Sequence, residues 1–296
     1  MGEVLALTAA ACYGVTHFGN GLLARRANGV AVAVFAQAGG TVLILILALA
    51  VPGGTATGPA LGWGALSGVA TGLGMAFLYR GLGRGRMSVV VPVSDVNAMT
   101  IPVFVGIALL GERPSSPAVF GIGVALPAIW LISRGGRANA EPRLRAARTA
   151  DGPGTPARTR RAAGVTDGLL GGAGIALTWV ALAEVPAGTG LWPLVLSRVV
   201  SVAAIIPLVT ATRTSLRLPA SVTAPAAVVG AVGTVATLLY MLAAREQLLA
   251  VTSVLSALYP AIPVLLALGL LGERITAAQT VGLGCAAAAI SLIALP

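Results

Sequence analysis

Charge is what this sequence has least of. Of its 296 residues 9% are charged and 57% hydrophobic, whereas a soluble domain carries about 25% charged residues. A chain so short of ionic groups cannot clothe a water-facing surface, so a soluble fold is excluded and a membrane protein is expected; the mean hydropathy of +0.93 agrees. Lysine is missing altogether, and all nineteen basic residues are Arg. Histidine occurs once, at His17. One His excludes an HExxH zinc site and leaves any Ser–His dyad a single candidate base. The two cysteines, Cys12 and Cys285, lie in separate apolar runs without a CxxC, so neither a disulfide framework nor a Cys metal site is indicated. GxSxG and GxxxxGK[ST] are also absent, which removes the hydrolase elbow and the phosphate loop. The chain is therefore read as a non-enzyme without cofactor or metal.

What is present is arginine in loops and long greasy runs. The net charge of +10 and pI of about 11.3 would suit a nucleic-acid binder. The arginines, however, sit in short connections between apolar runs and form neither one face nor a tail, so no nucleic-acid partner is expected. A bilayer core about 30 Å thick asks for roughly 20 apolar residues per helix. The runs give ten spans near 3–24, 30–51, 60–82, 87–110, 115–133, 164–184, 188–210, 219–243, 248–271 and 275–295. The start, "MGEVLALTAA", lacks the positive region of a cleaved signal peptide and is taken as the first span. One segment, 134–163, is rich in Arg, Ala, Gly and Pro and cannot bury a core, so it is read as a flexible linker. It divides the chain into 1–133 and 164–296, each with five spans.

The halves repeat one another. "IPVFVGIALLGER" at 101–113 lies over "IPVLLALGLLGER" at 262–274 with 8 of 13 residues identical and a shift of 161. In that frame Tyr79 falls on Tyr240, Arg84 on Arg245 and Gln37 on Arg198. Gly111 and Gly272 stand where a glycine ends a helix. Glu112–Arg113 and Glu273–Arg274 follow them, and the pairs are expected to leave hydrocarbon for the interface and fix the depth of the helix. Five spans is an odd number, so the second copy enters the bilayer upside down. That is the inverted-repeat plan of many secondary transporters. Sixteen of the arginines fall on the side that carries the linker, against Arg113 and Arg245 opposite, with Arg198 inside a span. The positive-inside rule then places the linker in the cytoplasm and both termini outside.

At these residues a family resemblance enters. "LLAVTSVLSALYPAIPVLLALGLLGERITAAQTVGLGCAAAAISLI" (248–293) resembles the second half of an EamA-type domain of the drug/metabolite transporter superfamily. "VVVPVSDVNAMTIPVFVGIALLGERPSSPAVFGIGVAL" (89–126) repeats it. The resemblance implies an all-helical, ten-span carrier of the cytoplasmic membrane whose third, fourth, eighth and ninth spans surround a cavity. A small metabolite would move through it by alternating access, with export the expected direction. Two departures stand out: Asp95 and Asn97 occupy positions where the second copy has Ser256 and Leu258, and the termini read as external.

Polar groups at bilayer depth cost about 2.5–3.5 kcal/mol each for Arg or Asp, so those that remain need a reason. Asp95 in "VPVSDVNAM" and Arg198 in "LVLSRVVSV" are the two foremost. They are expected to face the cavity, to bind a charged or zwitterionic solute or to pair when it is empty; the alternative is a structural contact between helices. Asn97, Gln37, Tyr79, Tyr240, Tyr259 and Trp179 are further candidate wall residues, and Trp192 reads as an interfacial anchor. Pro92, Pro102, Pro260 and Pro263 either open the backbone to substrate or kink the helix. Asp95 and His17 are the candidates for proton coupling, although a satisfied core histidine is the favoured reading of His17. The expected partners are a small-molecule substrate and membrane lipid; the sequence specifies no oligomeric state. A flippase for an amphipathic or lipid-linked substrate is the alternative on the same scaffold.

Overall fold

The computed structural model describes residues 1–24, 26–51, 53–84, 87–138, 157–211, 213–271 and 276–295. Among them the only regular structure is helical. The first half contains α1 (Gly2–Ala24), α2 (Gly29–Ala50), α3 (Gly58–Arg84), α4 (Met87–Phe104) and α5 (Ser116–Ala138). The second contains α6 (Ala157–Ala183), α7 (Trp192–Ala211), α8 (Ala220–Glu246), α9 (Leu249–Ala257), α10 (Ala261–Leu271) and α11 (Ala277–Ile293). Local chemistry sets several of these ends. The Asn28 side chain accepts from the N–H groups of Val30 and Ala31 to start α2. Thr276 and Gln279 form a reciprocal capping box at the start of α11, satisfying donors that the first turn leaves free.

Seven segments are long and apolar enough to cross a membrane, and Val93–Leu109 and Ala277–Ile293 are shorter apolar helices. The chain is thus an all-α, multi-pass membrane protein. Two details depart from the sequence reading. Helix takes both ends of the 134–163 segment, since α5 runs on to Ala138 and α6 begins at Ala157; residues 139–156 lie outside the described residues. The ninth span is two helices, because Pro260 has no N–H for the Ser256 carbonyl and its ring crowds that carbonyl. Ser256 O accepts instead from Tyr259 N at 3.3 Å.

The packing has an approximate two-fold symmetry. Helix α3 packs on α6 and α7, and α8 packs on α1 and α2. Helix α4 lies on α6, as α9 and α10 lie on α1. Exchanging the two halves turns each of these contacts into its counterpart. The contacts α2–α7, α4–α9 and α5–α11 map onto themselves, so they lie along the axis.

Small residues bring the helices this close. A Cβ on Gly68 of α3 would stand 2.5 Å from the Ser197 carbonyl, and one on Gly230 of α8 would stand 1.7 Å from that of Ala36. Ala36 and Ser197 are themselves 161 positions apart. In lipid no hydrophobic force draws helices together, so such backbone approach and interhelical hydrogen bonds carry the association. The largest apolar cluster includes Met99, Ile129, Ile132, Leu182, Leu194 and Leu255, and a smaller one joins Leu23, Val32, Val222 and Ala226.

Candidate functional site

Asp95 and Arg198 each take neutral partners among the described residues and are not paired with each other. Asp95, the ninth residue of α4, is 5% exposed. Its Oδ2 accepts from Ser133 Oγ on α5 and its Oδ1 from Tyr259 Oη, each at 2.7 Å. Tyr259 lies in the break between α9 and α10, beside Pro260. That break comes against α1 at Gly14, where a Cβ would stand 2.8 Å from the Tyr259 carbonyl. The break frees the phenol from helical direction, so it can span from α1 to the carboxylate on α4. Its ring stacks on the His17 imidazole, centroids 4.6 Å apart and planes 16° from parallel.

Arg198 is the seventh residue of α7, about 9 Å from the helix start at 1.5 Å per residue. It is therefore nearer one end than a span beginning at 188 would put it. Its Nη1 donates to Gln37 Oε1 at 2.9 Å and its Nη2 to Thr237 Oγ1 and, at 3.5 Å, to the Gly233 carbonyl. The buried Nε has no hydrogen-bond partner among the described residues. Gln37 in turn donates to Ser201 Oγ at 3.0 Å. Gln37 and Arg198 are repeat equivalents 161 positions apart, and they bond to each other, so they sit on the two-fold axis.

Tyr13 joins the two ends. Its ring meets Tyr259 edge-on at 6.4 Å and lies 6.3 Å from Trp179. Its hydroxyl donates to Thr237 Oγ1 at 3.3 Å, the same oxygen that receives Arg198. Trp179 stacks on Tyr240 at 5.2 Å, and the Tyr240 hydroxyl reaches the Trp179 carbonyl at 3.3 Å and Ser253 Oγ at 3.1 Å. One chain of contacts therefore runs Ser133–Asp95–Tyr259–Tyr13–Thr237–Arg198–Gln37–Ser201. It has a negative charge near one end, a positive one near the other, and aromatic faces between. It draws on α1, α2, α4, α5, α7, α8 and the α9–α10 break, and so on both halves.

The sequence candidates divide accordingly. Asp95, Arg198, Gln37, Tyr240, Tyr259, Trp179 and His17 come together in or against this chain. Asn97 does not: it donates to the Leu169 carbonyl at 2.7 Å and ties α4 to α6. The Tyr79 and Pro92 side chains and all of Gly272, Glu273 and Arg274 lie outside the described residues. His17 is a correction, for it is exposed on the protein and stacked on Tyr259, not enclosed in a core. Pro102 is buried within α4, while Trp192 opens α7 with 40% of its surface exposed. Gly111 has a φ of +70° at the end of the π-helical turn Val105–Leu109, the left-handed conformation that glycine adopts without strain. Glu112 does more than mark depth: its carboxylate accepts from the N–H groups of Leu249 and Ala250 at the start of α9. Sequence reasoning missed Tyr13, Thr237, Ser133 and Ser253. For Tyr13 the signal was rarity, since the chain has four tyrosines and three of them meet here.

No curated protein matches the chain at a significant level. The crystal structure of another protein is similar to it with a TM-score of 0.71 and 16% identity, over 99% of this chain and 96% of the other; that likeness shows the shared fold. Residues 1–134 match the model of the EamA-like transporter family. The first half of the chain is thus similar to the EamA-like transporter family, and the second half is built on the same helical plan.

Proposed function

We propose that the protein is a secondary carrier that exports a small zwitterionic metabolite, an amino acid or a close analogue, by alternating access. The site lies between Asp95 and Arg198. The observation that carries this reading is two opposite charges, unpaired with each other, at the ends of one aromatic-lined chain of contacts that crosses both halves. Each charge costs about 2.5–3.5 kcal/mol at bilayer depth, and hydrogen bonds to neutral groups offset only part of that. A solute with an ammonium and a carboxylate supplies the missing counter-charges together. Tyr13, Tyr259 and Trp179 then offer their faces to its apolar part, and aromatic faces also attract an ammonium group.

The same arrangement supports exchange against protons. Asp95 now accepts two O–H bonds, and a protonated carboxyl has one acceptor oxygen fewer to offer. A proton and a substrate ammonium therefore compete for one carboxylate, and Tyr259 must let go when either arrives. His17, stacked on Tyr259 and exposed, is the group through which a proton would come. Orientation follows the arginine asymmetry: linker in the cytoplasm, both termini outside.

The test is transport by purified protein in liposomes, with amino acids offered with and without a pH gradient. Uptake that depends on Asp95 and Arg198 and is driven by the gradient supports the proposal. Wild-type rates in both Asp95→Asn and Arg198→Gln would end it.

A further inference from the structure

Glu112 leaves its own half of the molecule. Its two carboxylate oxygens accept from the N–H groups of Leu249 and, at 2.9 Å, Ala250, the first residues of α9. A helix start leaves four N–H groups without partners, and Leu248, the cap residue, provides no side-chain acceptor. A negative charge is the favoured occupant there because it meets the positive end of the helix dipole.

The first half is shaped to deliver it. The helix after Phe104 widens into a π turn, and Gly111 reverses the chain at φ +70°. Glu112 N–H then donates to the Gly106 carbonyl at 2.9 Å, which folds the side chain back over Gly106. A Cβ at that position would stand 2.3 Å from Glu112 Oε2, so position 106 must be bare for the carboxylate to pass.

Other ties join the same face of the molecule. Arg245 Nη2 donates to the Pro186 carbonyl at 3.3 Å, and Gln247 Nε2 donates to Glu3 Oε1 at 3.2 Å. The loops before α3 and α7 meet at glycine, where a Cβ on Gly54 would stand 1.6 Å from the Gly188 carbonyl. Beneath these ties every residue of α9 from Leu249 to Ala257 is buried, down to the break that carries Tyr259. The charged contact of Glu112 thus stands at one end of buried α9, and the break that carries Tyr259 stands at the other.

We propose that Glu112 is the latch of a gate: it holds the end of α4 to the start of α9, and its release lets the halves part on this face. This rests on the alternating-access reading above, but its test reads access and needs no transported solute. In a chain with Cys12 and Cys285 replaced by Ala, S256C places one thiol on α9 at a site 0% exposed, where Ser256 contacts the Ala6 carbonyl. A membrane-impermeant maleimide is applied to each face of sealed vesicles in turn. Glu112→Gln removes the charge, and Gly106→Ala leaves the charge but displaces the carboxylate. Both are expected to speed labelling from the face of the α4–α5 loop about tenfold, the equilibrium equivalent of about 1.4 kcal/mol, with no rise from the opposite face. Glu246→Gln, an exposed change at the end of α8, is the control and leaves the rate alone. Unchanged labelling in both variants overturns the latch. An equal rise from both faces also overturns it, because that is general loosening. So does failure of both variants to insert as folded protein, since a gate must open in a protein that stays assembled.

Discussion

Helix α4 and the broken pair α9–α10 are one piece of sequence written twice, and their differences make the site. With the shift of 161, Asp95 falls on Ser256, Ala98 on Tyr259 and Met99 on Pro260. The first copy keeps Met99 and continues as helix, holding a carboxylate in the middle of the bundle. The second copy has Pro260 and breaks, turning a tyrosine hydroxyl toward that carboxylate. Charge and donor thus come from equivalent segments that diverged in opposite ways. The axis pair repeats the lesson: Gln37 stayed neutral, Arg198 is charged, and the two bond to each other. A symmetric scaffold therefore carries an asymmetric set of charges, which suits the two unlike ends of the proposed solute.

The sharpest way to break this contrast is to make the copies alike. Arg198→Gln puts the residue of position 37 at position 198 and removes the positive end. Initial transport rates in liposomes should fall at least about 100-fold, in line with the 3–5 kcal/mol lost when one partner of a buried charged contact is removed. Asp95→Ser writes the residue of position 256 into α4. A loss of about 50-fold is expected, about 2.3 kcal/mol at 1.4 kcal/mol per decade, together with loss of stimulation by a pH gradient.

These two residues are legible in the amino-acid sequence because charge inside an apolar run is expensive wherever it occurs. The all-helical, membrane-spanning character and the repeat are legible for a similar reason, being written in composition and periodicity. The contacts are not. Nothing in "YGVTHF" says that Tyr13 and His17 lie against Tyr259, since both contacts depend on a chain break some 240 positions away. The break itself is open to two readings, because Pro102 and Pro263 occupy equivalent positions and yet only the Pro260 copy is interrupted. A proline early in a helix is tolerated, and Pro263 falls in the first turn of α10. Likewise Glu112 reads as an interface marker until α9 is seen to start against it.

Smaller changes sharpen the comparison. Tyr259→Phe keeps the ring on His17 and removes only the hydroxyl donated to Asp95. Transport is expected to fall about tenfold, since a hydrogen bond to a charged group contributes about 1.5–3 kcal/mol; thermal unfolding monitored by intrinsic fluorescence should shift by only a few degrees, as ~1 kcal/mol moves such a protein roughly 2–4 °C. Ser133→Ala removes the other donor to Asp95 from α5. The bond goes to the same carboxylate at the same 2.7 Å, so a loss of similar size, about tenfold, is expected.

The central claim is that one solute meets both charges at once. Three solutes with the same side chain test it most directly: a zwitterionic amino acid, its amine without the carboxylate, and its acid without the amine. Their initial rates are compared in the same proteoliposomes. The account predicts that the zwitterion moves at least about tenfold faster than either one-ended analogue, one decade being about 1.4 kcal/mol. It also predicts that Arg198→Gln removes the advantage over the amine, and Asp95→Asn the advantage over the acid. Equal rates for all three in the wild-type protein would contradict it.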